Sequence, residues 1–405
     1  MSRDYLTIDD VEINGKTVLC RLDLNSPMDP KGTILDDKRF RSHIITLREL
    51  EDSKVVILAH QSRAGKRDFT TMEPHSGLLS RLMRRNICYV DDIFGSHAID
   101  SIRKMENGEI IMLENARFYS EENLKRTAEE HAETHMVWRL SPLFDVFIND
   151  AFSVSHRPHL SITGFSHVMP GIAGRVMEKE IDCLSYGLQG NNHPCVFVLG
   201  GTKVDDSIKV TKNVLENGSA DRVLVTGVVA NVFLAASGID IGTLNLNFIE
   251  KQDYLDQIGI AKELLARFSA KIGLPVDVAL NRNGTRIEEK VSNMKTELPI
   301  NDIGIETMVK YSNEIKSAKT VVMNGPAGVF ENESFALGTY ELIKAGTESD
   351  FSIIGGGHIA ASVEQLGLSG KISHVSTGGG ACIDFLAGEK LPGIEALKNA
   401  ARRFR

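Results

Sequence analysis

Arginines and histidines collect in the first half of the chain wherever a short apolar run gives way to polar residues. Arg39 and Arg41 follow "ILDDK", His60 and Arg63 lie in "AHQSR", Arg117 lies in "LENARF", and His156, Arg157 and His159 lie in "SVSHRPH". Asp23 and Asn25 end a further apolar run. A guanidinium grips carboxylate or phosphate through two parallel hydrogen bonds. Such a set suits a small acid that carries phosphate. The second half ends its apolar runs differently, in glycine: Gly200-Gly201 with Lys203 just behind, Gly325 between Asn324 and "PAGVFE", and Gly355, Gly356 and Gly357 ahead of His358. Glycines admit a phosphate to backbone N–H groups at a helix N-terminus. Lys203 adds charge, and the carboxylate of Glu331 is placed to accept ribose hydroxyls.

Other chemistries meet missing parts. Gly355, Gly357 and Ala360 fit the G-x-G-x-x-A form of a dinucleotide turn, which also needs an acidic residue at the end of the next strand. The next apolar run, "KISHVS", ends in Thr377 and three glycines instead. A tight turn without a ligand, or a mononucleotide phosphate, remain the other readings of the triplet. His60, His156 and His159 have no zinc-site spacing and no cysteine beside them. Neither a G-x-x-x-x-G-K-[ST] loop nor a G-x-S-x-G elbow occurs. Phosphoryl transfer between a carboxylate and a nucleotide needs neither. Both nucleophiles are ionised at neutral pH, so catalysis reduces to positioning and charge neutralisation.

The elements that must hold these groups alternate. "KTVLCRLDL", "KVVILAH", "EIIMLEN" and "DVFINDAF" read as buried strands of the first half; "PCVFVLGG", "RVLVTG", "PVDVAL", "KTVVMNG", "FSIIGGG" and "KISHVSTGG" read as strands of the second. Ser76–Arg85, Glu121–Leu140 and Ala360–Leu366 have helical spacing. Alternation of this kind predicts parallel sheets flanked by helices, with ligands at the carboxyl ends of the strands. A chain of 405 residues exceeds one ordinary core, so two domains are expected. Pro170 and Gly171 break the chain, and a helix from about Ile172 to Leu184 is expected as connector or hinge. The expected division is residues 1–168, a connecting helix over 169–188, a second domain over 189–388, and a terminal segment over 389–405 that packs back on the first domain.

A net charge of −8 argues against a nucleic-acid binder that works by bulk positive charge. Five scattered cysteines without a C-x-x-C pair suggest reduced thiols and a cytoplasmic protein. The N-terminal "MSRDYLTIDD" lacks a signal-peptide pattern, and no apolar run reaches the ~18 residues of a membrane span.

In this order the motifs resemble the phosphoglycerate kinase family, over nearly the whole chain. The likeness is carried by "RLDLNSP", "MLENARFYSEE", "NDAFSVSHRPHLS", "MEKE" at Met177–Glu180, "GGTKVDD", "NGPAGVFE" and the stretch from Ser352 to Gly393. The resemblance implies an α/β protein of two Rossmann-like parallel-sheet domains joined by a hinge helix. It implies reversible phosphoryl transfer between 1,3-bisphosphoglycerate with ADP and 3-phosphoglycerate with ATP, in glycolysis and gluconeogenesis. Asp23, Asn25, Arg39, His60, Gln61, Ser62, Arg63, Arg117 and Arg157 would bind the acid. Gly201, Lys203, Asn324, Glu331, Gly355, Gly356, Gly357 and His358 would bind the nucleotide. Arg39 and Lys203 would also stabilise the migrating phosphoryl group. Mg²⁺ would be held mainly by the nucleotide phosphates, with Asp206 as the candidate carboxylate. Two positions depart from the common pattern and point to the archaeal branch: Ser207 replaces a second lysine, and His358 replaces an aspartate. Lys209 is near, but two helical residues beyond Ser207 turn it by about 200°, away from that direction. An NAD-dependent dehydrogenase and a non-catalytic phosphometabolite-binding protein are the alternatives. Neither a nucleic acid nor a membrane is an expected partner, and the protein is expected as a monomer or homodimer.

Overall fold

The computed structural model describes residues 3–188 and 192–404. Seven strands form the first sheet: β1 (Leu6–Thr7), β2 (Thr17–Arg21), β3 (Lys54–Leu58), β4 (Cys88–Val90), β5 (Ile110–Leu113), β6 (Val146–Asn149) and β7 (Gly171–Ala173). Their order is β1-β7-β6-β2-β3-β5-β4, with every neighbouring pair parallel. A parallel sheet is covered on both faces, which is why these strands are apolar at successive positions. The alternation splits them cleanly. Val18, Cys20, Val55, Ile57 and Ile148 enter one core cluster, and Leu19, Val56, Leu58 and Phe147 enter another. The chain runs from β2 out to β5 and then returns to place β6 on the other side of β2. This reversal opens a crevice at the carboxyl ends of β2 and β6.

A second parallel sheet repeats the plan with β8 (Cys195–Leu199), β9 (Arg222–Val225), β10 (Ile272–Gly273), β14 (Thr320–Asn324), β15 (Phe351–Gly355) and β16 (His374–Val375). The order is β10-β9-β8-β14-β15-β16, and the reversal falls between β8 and β14. Between β10 and β14 the chain adds a small antiparallel sheet, β12-β11-β13, from β11 (Asp277–Arg282), β12 (Thr285–Lys290) and β13 (Ile300–Ile303). The run "PVDVAL", expected with the parallel strands, is therefore a hairpin strand. Its partner is set by Asn283-Gly284, both left-handed, which close a two-residue turn.

Two compact units result: residues up to Ile181 with those from Lys390 onward, and Asp182–Glu389. Helix Pro392–Phe404 packs on β7 and on the short helices Leu160–Thr163 and Phe165–Val168 of the first unit. The boundary at Ile181 falls inside helix Arg175–Leu188. That helix begins later than Ile172 because Gly171–Ala173 pairs with β6 and β1, and Asp150 then accepts hydrogen bonds from the Val176 and Met177 N–H groups. The expected helix over Glu121–Leu140 is instead two short ones, Ala128–Ala132 and His135–Leu140. Thr127 caps the first of them in a reciprocal box with Glu130.

Candidate active site

Two groups of polar residues stand at the carboxyl ends of the two parallel sheets. In the first unit the loops after β2, β3, β5 and β6 bring Arg21, Asp23, His60, Arg117 and His159 together. Arg21 is the last residue of a buried strand and has no exposed surface. Its Nε donates to Ser161 Oγ at 2.7 Å, and its Nη2 lies 3.0 Å from His60 Nδ1. A guanidinium can only donate, so His60 Nδ1 accepts and the ring carries its proton on Nε2. Nε2 is 4.0 Å from Asp23 Oδ1. Glu122, equally buried, accepts from the Ser161 N–H at 2.9 Å and its hydroxyl at 2.6 Å. Glu122 thus fixes Arg21 through a shared serine. Burial raises the Glu122 carboxyl pKa, and Arg21 opposes that rise.

Asp23 is bound by Arg39 and Ser153 and accepts from the Asn25 N–H at 3.1 Å. Burial would raise its pKa, but Arg39 with these hydrogen bonds holds it well below the usual carboxylate range. Asn25 Oδ1 accepts from the Ser62 N–H at 2.7 Å. Ser62 occupies the left-handed region at φ 55°, and its carbonyl accepts from Arg117. Strain of that kind gathers where a loop is fixed by its surroundings. Gln61 is buried and spends its amide on the Ser26 backbone and on His75. Arg63 and Arg157 are exposed; Arg157 Nε lies 3.1 Å from His156 Nε2.

The electrostatics of this group are unbalanced. Burial and then the Arg21 cation push Arg117 down to about 10, with Arg157 adding to the effect. Burial and then the Arg117, Arg21 and Arg157 cations push His159 down to about 3. Burial and Arg21 hold His60 well below its ordinary value. The Nε–H of Arg117 and Nδ1 of His159 are buried and lack hydrogen-bond partners among the described residues. Cations that repel one another around an unspent donor form a place for an anion. Arg21, Glu122 and Ser153 escaped the motif-based residue list. The one available signal was a charged residue closing the apolar run "TVLCR".

In the second unit, three glycine-bearing loops meet. Gly201 N–H donates to Pro326 O at 2.8 Å, and Gly227 N–H to Ala327 O at 3.0 Å. A side chain at Gly200 would strike the Pro326 carbonyl at 2.5 Å, so this glycine serves loop packing. Lys203 precedes helix Val204–Glu216. Asp206 on that helix is half-buried; burial and Asp205 raise its pKa, while Lys203 and Lys209 oppose them. Asp384 is raised by burial and Glu389 and opposed by the same two lysines. Lys203 and Lys209 thus both act electrostatically on Asp206 and Asp384. Asp384 stands on helix Gly380–Leu386.

Beside them lies a cavity of about 260 Å³, lined among others by Gly201, Pro326, Val329, Glu331 and His358. The His358 ring rests on Phe330 at a centroid distance of 5.2 Å. Asn324 Nδ2 is buried, next to Gly355, without a hydrogen-bond partner among the described residues. The loop from Gly325 to Glu331 is tied down: Ala327 N–H donates to Thr339 Oγ1 and Val329 N–H to Asn301 O. Asp302 anchors the helix carrying Thr339 by accepting from Gly338 N–H at 2.9 Å and from Arg286 at 2.8 Å. Gly355 ends β15, Gly356 caps helix Gly357–Gln365, and the first intrahelical bond is Ala360 N–H to Gly356 O. The N–H groups of Gly357, His358 and Ile359 are left for another acceptor. No group of three or more His, Cys, Asp or Glu side chains among the described residues could hold a metal.

Comparison with known proteins agrees with both halves. The family model described as phosphoglycerate kinase matches residues 8–389. The phosphoglycerate kinase of Methanosarcina mazei is 64% identical over 404 residues, covering 100% of this chain and 97% of that protein. That of Methanothermobacter thermautotrophicus is 53% identical, covering 99% and 98%. The crystal structure of phosphoglycerate kinase from Pyrococcus horikoshii OT3 superposes with a TM-score of 0.91 at 42% identity, covering 98% of this chain and 100% of that one. The structure from Coxiella burnetii gives 0.83 at 31% identity with the same coverage. A chain matched along its length by archaeal relatives of one name, with both parallel-sheet units in place, belongs to the phosphoglycerate kinase family.

Proposed function

We propose that the chain catalyses reversible in-line phosphoryl transfer between 1,3-bisphosphoglycerate with ADP and 3-phosphoglycerate with ATP, the first unit holding the acid and the second the nucleotide. The observation that carries the assignment of the halves is the cation group around the unspent, buried Nε–H of Arg117. A phosphorylated carboxylic acid answers it with negative charge at two ends. Arg117, Arg157, Arg63 and His60, with its proton on Nε2, bind that acid. Asp23 and Asn25 orient Arg39 and the Ser62 turn, and Gln61 acts through the loop it holds. The carboxylate that attacks is already ionised, so no general base is needed. Arg39 and Lys203 neutralise the charge that builds on the migrating group.

The nucleotide rests its phosphates on the N–H groups of Gly357 and His358, beside Gly201, Asn324 and Lys203, and its ribose against Glu331. The fit to Mg²⁺ is that of a site with few protein donors: Asp206 offers one carboxylate oxygen, and the phosphates and water complete the shell. Bound there, Mg²⁺ would offset phosphate charge. The cysteines are free thiols, and no helix among the described residues is long and apolar enough to cross a membrane. Both accord with a cytoplasmic enzyme of soluble metabolites.

Calorimetric titration tests the assignment of halves. Arg117→Ala is expected to lose 3-phosphoglycerate binding and keep that of Mg-ADP. An Arg117→Ala protein that binds both ligands as the parent does would contradict it.

A further inference from the structure

Helix Lys38–Glu49 carries Arg39 to the acid-binding group, and His43 and Thr46 follow on the same face, four and seven residues on. His43 is only 3% exposed and stands between two fixed partners. Its Nδ1 lies 2.7 Å from Asp150 Oδ2. A carboxylate can only accept, so Nδ1 carries a proton. Asp150 directly follows β6 and is fully buried. Its N–H donates to Arg21 O at 2.9 Å. Its Oδ1 accepts from the Val176 and Met177 N–H groups, at 2.8 and 3.3 Å, where helix Arg175–Leu188 begins. Thr46 Oγ1 accepts from the Arg175 N–H at 3.0 Å, so helix Lys38–Glu49 is tied to the same N-terminus. On the other side of the ring, Nε2 lies 3.3 Å from the backbone N of Asp23 and 3.2 Å from its O. With the proton on Nδ1, Nε2 keeps its lone pair and accepts the Asp23 N–H. That N–H has no other acceptor among the described residues. Both ring nitrogens are thus spent inside the protein, and neither is left for a ligand.

We propose that His43 is a positioning residue for the phosphoryl transfer. Asp150 fixes the ring and its proton, the ring fixes the backbone of Asp23, and the Asp23 carboxylate holds the guanidinium of Arg39. Arg39 serves only if it meets the migrating group at the right place, and a displacement of about 1 Å in such a group can cost ~10²-fold in rate. This reading rests on the role given to Arg39 above and adds to it the buried pair that sets its position.

The test measures kcat, and KM for 3-phosphoglycerate and Mg-ATP, in the full-length protein and in three variants, each also combined with Arg39→Ala. In His43→Asn the amide nitrogen stands as far from Cβ as Nδ1 does, so the bond to Asp150 is kept and that to the Asp23 N–H is lost. Asp150→Asn keeps an oxygen for the helix N–H groups, but its amide donates to Nδ1. The ring proton then moves to Nε2 and confronts the Asp23 N–H. Both variants are expected to lower kcat by ~10-fold or more with each KM within ~3-fold of the parent. His43→Gln places an acceptor where Nε2 stood and is expected to keep kcat within ~3-fold. In the Arg39→Ala background all three changes should cost no more than ~2-fold, because the group they displace is gone. A merely structural loss would be equal in both backgrounds. A melting curve reports folding, and if His43→Asn does not fold, Asp150→Asn and His43→Gln decide. An unchanged kcat in Asp150→Asn, equal losses with and without Arg39, or a loss in His43→Gln as large as in His43→Asn overturns the proposal and leaves the phosphoryl transfer standing. A parent protein that does not turn over 3-phosphoglycerate with Mg-ATP removes that assignment, and the proposal with it.

Discussion

Gly357 separates two reasons for a glycine triplet. A side chain at Gly355 would meet Asn324 Nδ2 and Cys382 Sγ, each at 2.9 Å, and Gly356 has φ +96°, so both are required by packing and backbone alone. Gly357 is different: it has no such φ, and a methyl group there meets nothing within 4 Å. Read from the protein alone, Gly357→Ala should stabilise the second unit by about 0.4–1 kcal/mol, because alanine restricts the unfolded chain. That is about 1–4 °C in the melting temperature of a unit this size. If phosphate approaches the free N–H groups of the first turn, however, the new methyl stands in its path. Loss of one hydrogen bond to a charged group costs about 1.5–3 kcal/mol, which is ~10- to ~100-fold in Kd. Calorimetric titration with Mg-ADP and a scanning melt measure the two effects on one sample. The expected result is a more stable protein that binds ADP at least ~10-fold more weakly, with 3-phosphoglycerate binding unchanged. A stabilised protein with unaltered ADP affinity would refute the phosphate reading and leave the glycines to packing.

Arg39→Ala removes a charge used in the transition state, so kcat should fall by ~10²-fold or more; a normal kcat with only a raised KM would contradict that role. Lys203→Ala should remove most of kcat, and Lys209→Ala, six residues or nearly two turns further along, should cost no more than ~10-fold; equal losses would make the two lysines one functional pair. His75 donates from Nε2 to Gln61, its buried Nδ1 has no hydrogen-bond partner among the described residues, and burial pushes its pKa down to about 4. The unfolded chain takes up this proton near ~6.5, so the contribution of His75 is complete above that pH and is lost as pH falls toward 4, by about 3 kcal/mol in all. Urea unfolding followed at Trp138, the single tryptophan and a residue of the same unit, should show this slope. His75→Gln should flatten it, and identical slopes in the two proteins would exclude His75 as the source.

Much of the arrangement was legible because each strand ends where its chemistry begins. "KVVIL" and "FSIIG" are mostly apolar runs that lead directly to His60 and into the glycine triplet, so strand, turn and ligand loop read off together. The hairpin turn at Asn283-Gly284 was not read from the sequence, because the apolar run before it matched a parallel strand just as well. Pattern alone does not state which partner a strand takes. Glu122 was hidden for another reason. It sits in a polar stretch with helical spacing, and only the fold turns it inward to meet Ser161 and Arg21.

The most direct test of the account is a stoichiometric one. Purified protein is given 3-phosphoglycerate, Mg-ATP and a coupling dehydrogenase with NADH that consumes 1,3-bisphosphoglycerate, with controls lacking each component. The account predicts one ADP formed for each acyl phosphate consumed, turnover only when acid, nucleotide and Mg²⁺ are all present, and loss of that turnover in Arg39→Ala. ATP hydrolysis independent of 3-phosphoglycerate, or binding of both ligands without transfer, would contradict it.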